Sequence, residues 1–230
     1  MLDLSSTSPI FSQLNALVGG LFLLSAFGLV IVRQAQACLL IFIIQSILLS
    51  ISAFLLGYRD ASYHLLAVGV LTLVIKPALI SWLLRRTVRQ EIYTYREISQ
   101  VLNIPSSLLI ALALTLFSYF FANSLLIIVD RSFAKVNLPV GIAGLLLGAY
   151  TLMVRREAIP QLIGILAMEN GAFFAGISIS PDLPLIAELA AAFDVLIIAL
   201  VMGILTRTIH ENIGTTRVGA LTTLKEEPNQ

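Results

Sequence analysis

The sequence predicts an all-α fold, a polytopic integral membrane bundle of about seven transmembrane helices. Of the 230 residues, 58% are hydrophobic and 12% are charged, whereas soluble domains carry about 25% charged residues. The chain contains several apolar runs of about 20 residues, which is the length that a helix needs to cross the hydrocarbon core of a bilayer. The alternating, turn-rich pattern of a membrane β-barrel does not occur. Helices are therefore expected, because lipid cannot satisfy backbone amides.

Seven apolar runs are predicted to span the membrane. They cover approximately residues 13–32, 37–57, 64–84, 106–129, 137–154, 158–179 and 185–206. Of the 14 Lys and Arg residues, ten fall on one side of this topology and three on the other. The positive-inside rule then places the N-terminus outside and the C-terminus in the cytoplasm. We predict an integral protein of the cell inner membrane or its equivalent.

Polarity divides the chain into five predicted segments. A three-helix unit at 1–84 is followed by a cytoplasmic amphipathic segment at 85–105, a linking transmembrane helix within 106–136, a second three-helix unit at 137–210 and a polar tail at 211–230. The two units close on the similar sequences "WLLRRTV" and "GILTRTI", and each joins its first two spans by a short basic turn. These features are compatible with a parallel internal repeat of three helices.

Composition argues against several chemistries. A net charge of +1 gives no reason to expect a nucleic-acid partner, and the single cysteine, Cys38, excludes an internal disulfide. The two histidines, His64 and His210, fall at opposite ends of the topology. No cysteine cluster, phosphate-binding glycine loop or nucleophile with a base is recognisable. We therefore predict no metal, no cofactor and no catalysis by this chain alone.

Three ionisable residues are predicted to lie inside the membrane. Glu169, in "GILAMENGAFF", and Asp194, in "ELAAAFDVLIIAL", fall midway along the sixth and seventh spans, and Lys76, in "LTLVIKPALISW", falls in the third. A charge at the bilayer centre costs about 2.5–3.5 kcal/mol on insertion scales, so such residues face the bundle interior. We predict a proton relay, in which the charges pair or a carboxyl stays protonated. The alternative is a fixed ion pair that sets helix register.

Further polar groups are predicted to support this relay. Four uncharged side chains should supply hydrogen bonds: Gln45, Asn170, Thr72 and Asn123. Pro77, directly after Lys76, has no amide proton for the carbonyl of Leu73. A kink or opening of the third span is therefore expected at the lysine, with a local water cavity.

Three glycines mark one face of the fifth span. Gly141, Gly144 and Gly148 are separated by three and four residues, which places them on one side of a helix. Small side chains let neighbouring membrane helices approach closely. We predict that this face packs against another helix.

The last two spans resemble a known pair of helices. "IPQLIGILAMENGAFFAGI" and "AELAAAFDVLIIALVMGIL" are similar to the second and third helices of the small K subunit of respiratory complex I, which each carry a mid-membrane glutamate. Glu169 matches the first glutamate, and Asp194 matches the second with a shorter acid. With seven spans, the MEN motif, the FD of the last span and a lysine before "LISWLLRR", the chain resembles the hydrogenase-4 component E family.

This resemblance implies a membrane-arm subunit of a complex I-like assembly, such as a formate hydrogenlyase or another energy-converting hydrogenase. The implied partners are antiporter-like subunits and quinone- or hydrogenase-anchoring subunits, together with the lipid bilayer. We predict a non-catalytic subunit whose Glu169, Asp194 and Lys76 contribute to coupled proton translocation. Two alternatives stay open: a stand-alone small ion transporter or antiporter, and a structural scaffold subunit.

Overall fold

The computed structural model describes residues 4–59, 61–74, 76–77, 102–126, 134–156, 158–179 and 203. Within these residues the chain forms six α-helices and no strand. They are α1 (Leu4–Ile31), α2 (Ala35–Arg59), α3 (Tyr63–Leu73), α4 (Ile104–Leu126), α5 (Ala134–Val154) and α6 (Ala158–Ile179). The predicted all-α class is confirmed for this part of the chain. The end of the predicted third span at 78–84, the predicted seventh span apart from residue 203, most of the 85–105 segment and the polar tail lie outside the described residues.

Among the residues that the structure describes, four stretches have the length and composition of membrane spans. They are Ile10–Ile31, Ala35–Arg59, Ile104–Leu126 and Lys135–Val154. Helix bounds follow the apolar runs, with one large difference: α1 begins at Leu4 rather than near residue 13. Backbone hydrogen bonding continues through the polar "SSTSP" segment, because an α-helix can project beyond its apolar part.

The two ends of α3 have different local causes. At its start, Ser62 has an extended backbone, and its hydroxyl accepts a hydrogen bond from an amide of the first turn at 3.5 Å. Beyond its end, Val74, Lys76 and Pro77 have π-helical geometry. Pro77 cannot donate to the carbonyl of Leu73, so the turn widens. This turn lies where the sequence predicts an opened helix, and such turns are frequent at functional sites.

α2 and α3 form an antiparallel pair joined by a short turn. The hydroxyl of Ser50 donates to the carbonyl of Gly69 at 2.7 Å. Nearer the turn, a Cβ added at Gly57 would lie 3.0 Å from Leu65, so the helices touch there. These contacts define the register in which residues of α2 face residues of α3.

Glycines bring α5 and α6 into backbone contact. A Cβ added at Gly141 or Gly148 would come within 3 Å of the α6 backbone, and one at Gly164 or Gly171 would do the same to α5. The predicted close packing of the Gly141 face is confirmed. Gly144 adds a contact with Phe22 of α1.

The core lies between α1, α2, α5 and α6. Phe22 of α1 stacks on Phe174 of α6 with ring centroids 4.4 Å apart, and neither side chain is exposed. α4 packs on α5 and α1 at one side of this core. Its buried face consists of small residues, Ser107, Ala111, Thr115, Ser118 and Ala122. Large apolar side chains such as Phe120, 77% exposed, point outward, as expected for a helix that faces lipid.

Candidate functional site

A buried ion pair joins α3 to α6. The Lys76 Nζ atom lies 3.2 Å from Glu169 Oε1 and also donates to Asn170 Oδ1 at 3.1 Å. Lys76 is fully buried. The side chain of Glu169 is 18% exposed, yet both of its carboxylate oxygens are buried, so the exposed part is its methylene stem. The charges therefore meet away from the molecular surface.

Amide groups extend this pair to α2. Asn170 Nδ2 donates to Ser46 Oγ at 3.0 Å and to Gln45 Oε1 at 3.4 Å. Because an ammonium can only donate, it requires the Asn170 oxygen as its acceptor, which leaves the amide nitrogen to face α2. We call Lys76, Glu169, Asn170, Gln45 and Ser46 the Lys76 cluster. It connects three helices through one ordered sequence of donors and acceptors.

Helix geometry explains why these residues meet. Glu169 and Asn170 are consecutive at the middle of the 22-residue α6, about 16 Å from either end at 1.5 Å per residue. Lys76 follows the first residue of α3, Tyr63, by about 20 Å of helix rise. The lysine stem can thus reach mid-depth, where its ammonium lies between two neighbouring side chains of α6.

An aromatic ring flanks the lysine. Phe173 lies one turn after Glu169 on α6, and the Lys76 Nζ atom is 5.8 Å from its ring centroid. A cation at this distance is attracted by the ring quadrupole. Phe173 therefore adds an uncharged contact to the ammonium and helps to cover it.

The other predicted site residues are placed differently. Thr72 is buried one turn before Lys76, and Pro77 is half-buried directly after it. Asn123 is exposed on α4, and none of the hydrogen bonds among the described residues joins it to the Lys76 cluster. The prediction depended on depth, which says nothing about the face on which a residue lies. Asp194 lies outside the described residues.

A second polar group lies between α1, α2 and α5. Asn15 Nδ2 donates to Asn137 Oδ1 at 2.7 Å, and Ser52 Oγ donates to Asn15 Oδ1 at 2.8 Å. Asn137 Nδ2 donates in turn to Ser52 Oγ at 3.3 Å. All three side chains have no exposed surface. We call these residues the Asn15 triad. Sequence reasoning missed the triad, although asparagines in apolar runs satisfy the criterion that selected Gln45.

Arg155 is buried and holds the end of α1. Its Nη2 atom donates to the carbonyls of Leu29 at 2.8 Å, Val30 at 3.4 Å and Val32. The last carbonyls of a helix lack intrahelical donors. A cation at this end supplies hydrogen bonds to them and interacts favourably with the negative end of the helix dipole. The sequence assigns Arg155 to a basic loop only, whereas the structure gives it this capping role.

The Lys76 cluster has the chemistry of proton exchange. Its ammonium and its carboxylate, the two groups of the cluster that can gain or lose a proton, lie 3.2 Å apart as an ion pair, and Lys76 also donates to Asn170. Amides orient the pair but do not themselves take up protons at ordinary pH. In the part of the chain that the structure describes, no group of three or more His, Cys, Asp or Glu could hold a metal ion.

Comparison with known proteins identifies a relative of nearly the same length. Over 217 residues the chain is 31% identical to the Uncharacterized protein Rv0085 of Mycobacterium tuberculosis, and the alignment covers 94% of this chain and 98% of that protein. The chain belongs to the family of this mycobacterial protein. No family model matches the sequence, and no solved structure matches it. The name of the mycobacterial protein states no activity. The Lys76 cluster is therefore the feature of this chain that bears on its function.

Proposed function

We propose that this chain is a non-catalytic membrane-arm subunit of a complex I-like respiratory or energy-converting hydrogenase complex. It contributes Lys76, Glu169 and Asp194 to coupled proton translocation. In this proposal the chain has seven transmembrane helices in two parallel three-helix units, with the N-terminus outside and the C-terminus in the cytoplasm. Its partners are antiporter-like subunits and quinone- or hydrogenase-anchoring subunits. The observation that carries the proposal is the buried Lys76–Glu169 pair at mid-depth.

The energetics of the pair support a role beyond packing. Removing two charges from water costs several kcal/mol each, and a buried pair recovers that cost only with good geometry and additional hydrogen bonds. Well-packed apolar side chains would often stabilise such a position equally well or better. Ionisable residues inside a membrane protein therefore suggest a path for protons or ions.

The geometry supports specific roles for the cluster members. Glu169 is proposed to exchange a proton with Lys76, whose ammonium lies 3.2 Å away. Asp194 lies outside the described residues and enters the proposed path through its depth in the sequence and the match of the FD motif. Asn170 keeps the lysine in place through its 3.1 Å hydrogen bond while the charge changes. Gln45 and Ser46 hold the Asn170 amide in the orientation that accepts from lysine.

The resemblance to the hydrogenase-4 component E family is the reason for proposing that the chain belongs to a larger membrane complex. In that resemblance the MEN motif supplies Glu169 and the FD motif supplies Asp194. Redox chemistry is then performed by peripheral subunits, and this chain takes part only in the movement of charge. A subunit of this kind has no activity when purified alone.

One observation favours a second candidate, a scaffold subunit with a fixed ion pair. Lys76 has two polar partners on one helix, Glu169 and Asn170, which is also the arrangement that a register-setting pair would have. The scaffold candidate predicts that the charges affect assembly but leave turnover unchanged.

The test compares single and paired neutral variants in the native host. Glu169→Gln removes the carboxylate but leaves the lysine charge buried, whereas Glu169→Gln combined with Lys76→Met removes both charges. Ser118→Ala is the matched control, because Ser118 is buried and donates only within α4, to Thr115. Assembly of the parent complex and substrate-driven proton uptake are measured in the same membrane vesicles.

The expected result is an assembled complex that lacks proton uptake in the paired variant and a normal complex in Ser118→Ala. Normal assembly with normal uptake in the paired variant would exclude the relay and favour the scaffold. Ion flux through the purified wild-type chain in proteoliposomes would instead support a stand-alone transporter.

A further inference from the structure

The donor and acceptor sequence of the Lys76 cluster ends on an unsatisfied donor. Gln45 is fully buried, and its Nε2 atom has no hydrogen-bond partner among the described residues. The amide cannot be reversed to remove this problem, because Asn170 presents its nitrogen and therefore requires the Gln45 oxygen. A buried donor without an acceptor loses its hydration with nothing in exchange, and such donors are rare in native proteins. Gln45 Nε2 therefore needs an acceptor.

Helix register places the widened turn of α3 level with Gln45. The Ser50–Gly69 hydrogen bond defines one level of the antiparallel pair. Five residues toward the cytoplasmic side, or about 7.5 Å of helix rise, bring Gln45 on α2 level with Val74 on α3. This is the start of the π-helical turn, where hydrogen bonds join residues five apart and the helix is locally wider than an α-helix.

The chemistry of this location restricts what can bind there. The ligand has to accept a hydrogen bond from Gln45, which excludes a bare cation such as Na+ at this atom. An anion would lie near the Glu169 carboxylate, which already balances the single positive charge of Lys76. A neutral ligand that accepts from Gln45 Nε2 and can also donate fits this position without adding a charge. Water has these properties, and a buried water typically makes two to four hydrogen bonds.

We propose that Gln45 Nε2 holds a buried water molecule against the π-helical turn of α3. The functional role of this water rests on the proposed function: a water molecule can carry a proton, whereas the amides of Asn170 and Gln45 cannot. Thr72, buried one turn before Lys76, presents a hydroxyl on the same stretch of α3. Gln45 is then a positioning residue for water next to the ion pair.

Infrared spectroscopy tests the site on the purified full chain in lipid nanodiscs. The probe is water itself, and spectra are compared after hydration with ordinary and with ¹⁸O-labelled water. A buried water gives an isotope-sensitive O–H band distinct from bulk water. We expect this band in the wild type and in Ser118→Ala, and its loss in Gln45→Leu, which has similar volume but no amide. A band of equal intensity in Gln45→Leu, or none in the wild type, overturns the proposal.

A high-resolution structure of the wild type tests the same site without a variant, should Gln45→Leu not fold. We expect a water at about 2.7–3.2 Å from Gln45 Nε2. A carbonyl or carboxylate of the protein in that place overturns the proposal. Both measurements are independent of proton uptake, so loss of the band in Gln45→Leu together with normal uptake in the paired neutral variant would refute the proposed function and keep the water site.

Discussion

The Lys76 cluster and the Asn15 triad are two regions of the same bundle that each join three helices by buried side chains. The triad is uncharged, and its hydrogen bonds close on one another among Asn15, Ser52 and Asn137. The Lys76 cluster contains two charges, and its hydrogen bonds run in one direction from Lys76 to the open donor of Gln45. A closed neutral network stabilises helix packing, whereas an open charged one can bind and exchange protons.

The two regions also lie at different depths. Ser52 follows Gln45 by two turns of α2, about 10.5 Å. Between these levels α2 buries Leu48 and Leu49, and also Ser50, whose hydroxyl donates to the Gly69 carbonyl of α3. The groups of the triad are engaged with one another, about 10.5 Å from Gln45 along α2. Under the proposed function, a proton leaving Glu169 is therefore expected to move sideways between helices rather than through the triad.

The largest effect is expected from Lys76→Met, which breaks the charged region. The Glu169 carboxylate then lies buried without its cation, and the free energy of unfolding should fall by about 3–5 kcal/mol. Reversible unfolding in mixed lipid–detergent micelles measures this loss. Adding Glu169→Gln should recover most of it, and a single variant as stable as the wild type would show that the pair is not buried in the membrane-embedded protein.

The variant Arg155→Gln tests whether every buried charge of this protein contributes to proton uptake. The carbonyls of Leu29, Val30 and Val32 lose a charged donor, which should cost about 1.5–3 kcal/mol of stability. Proton uptake per assembled complex should stay normal, in contrast to the variant that neutralises Lys76 and Glu169. A specific loss of uptake in Arg155→Gln would extend the charged region to the end of α1.

Ser52→Ala opens the triad. It removes a donor to Asn15 and an acceptor for Asn137, and interhelical hydrogen bonds in membranes contribute about 0.6–1.7 kcal/mol. We expect a loss of stability in this range, measured by unfolding in micelles, with proton uptake unchanged. Reduced uptake at normal assembly would contradict the assignment of the triad to packing.

The smallest effect is expected from Asn123→Ala. Asn123 is exposed on α4, and surface substitutions usually change stability by less than about 0.5 kcal/mol. Thermal unfolding and proton uptake should both match the wild type. A clear loss of uptake would mean that this face of α4 contributes to the path through another subunit.

Sequence reasoning was most successful where one helix decides the outcome. The apolar run at 158–179 predicted a helix with the bounds that α6 has, and the glycine spacing predicted the close packing of α5. Depth along each run placed Glu169 at mid-membrane and Lys76 somewhat toward the cytoplasmic side, and the structure brings their charged atoms to 3.2 Å from each other. The repeat and the seventh span stay predictions.

Prediction from the sequence was least successful where the outcome depends on which faces of different helices contact one another. Gln45 and Asn123 were both selected as polar residues within apolar runs, yet only Gln45 reaches the cluster. Ser46 and Phe173 gave little signal, because serine and phenylalanine are common in membrane helices. The role of Arg155 depends on carbonyls that precede it by more than 120 residues.

The sequence by itself determined the all-helical class with apolar, membrane-type helices, the approximate bounds of the described helices and the position of each polar residue along its helix, because these depend on hydropathy and on a fixed rise per residue. Only the tertiary structure decided which polar groups share a site and in which direction their hydrogen bonds run. Rotation and register of packed helices depend on side-chain contacts between distant segments. The hydrogen bond from Ser50 to Gly69 and the glycine contacts between α5 and α6 are such contacts.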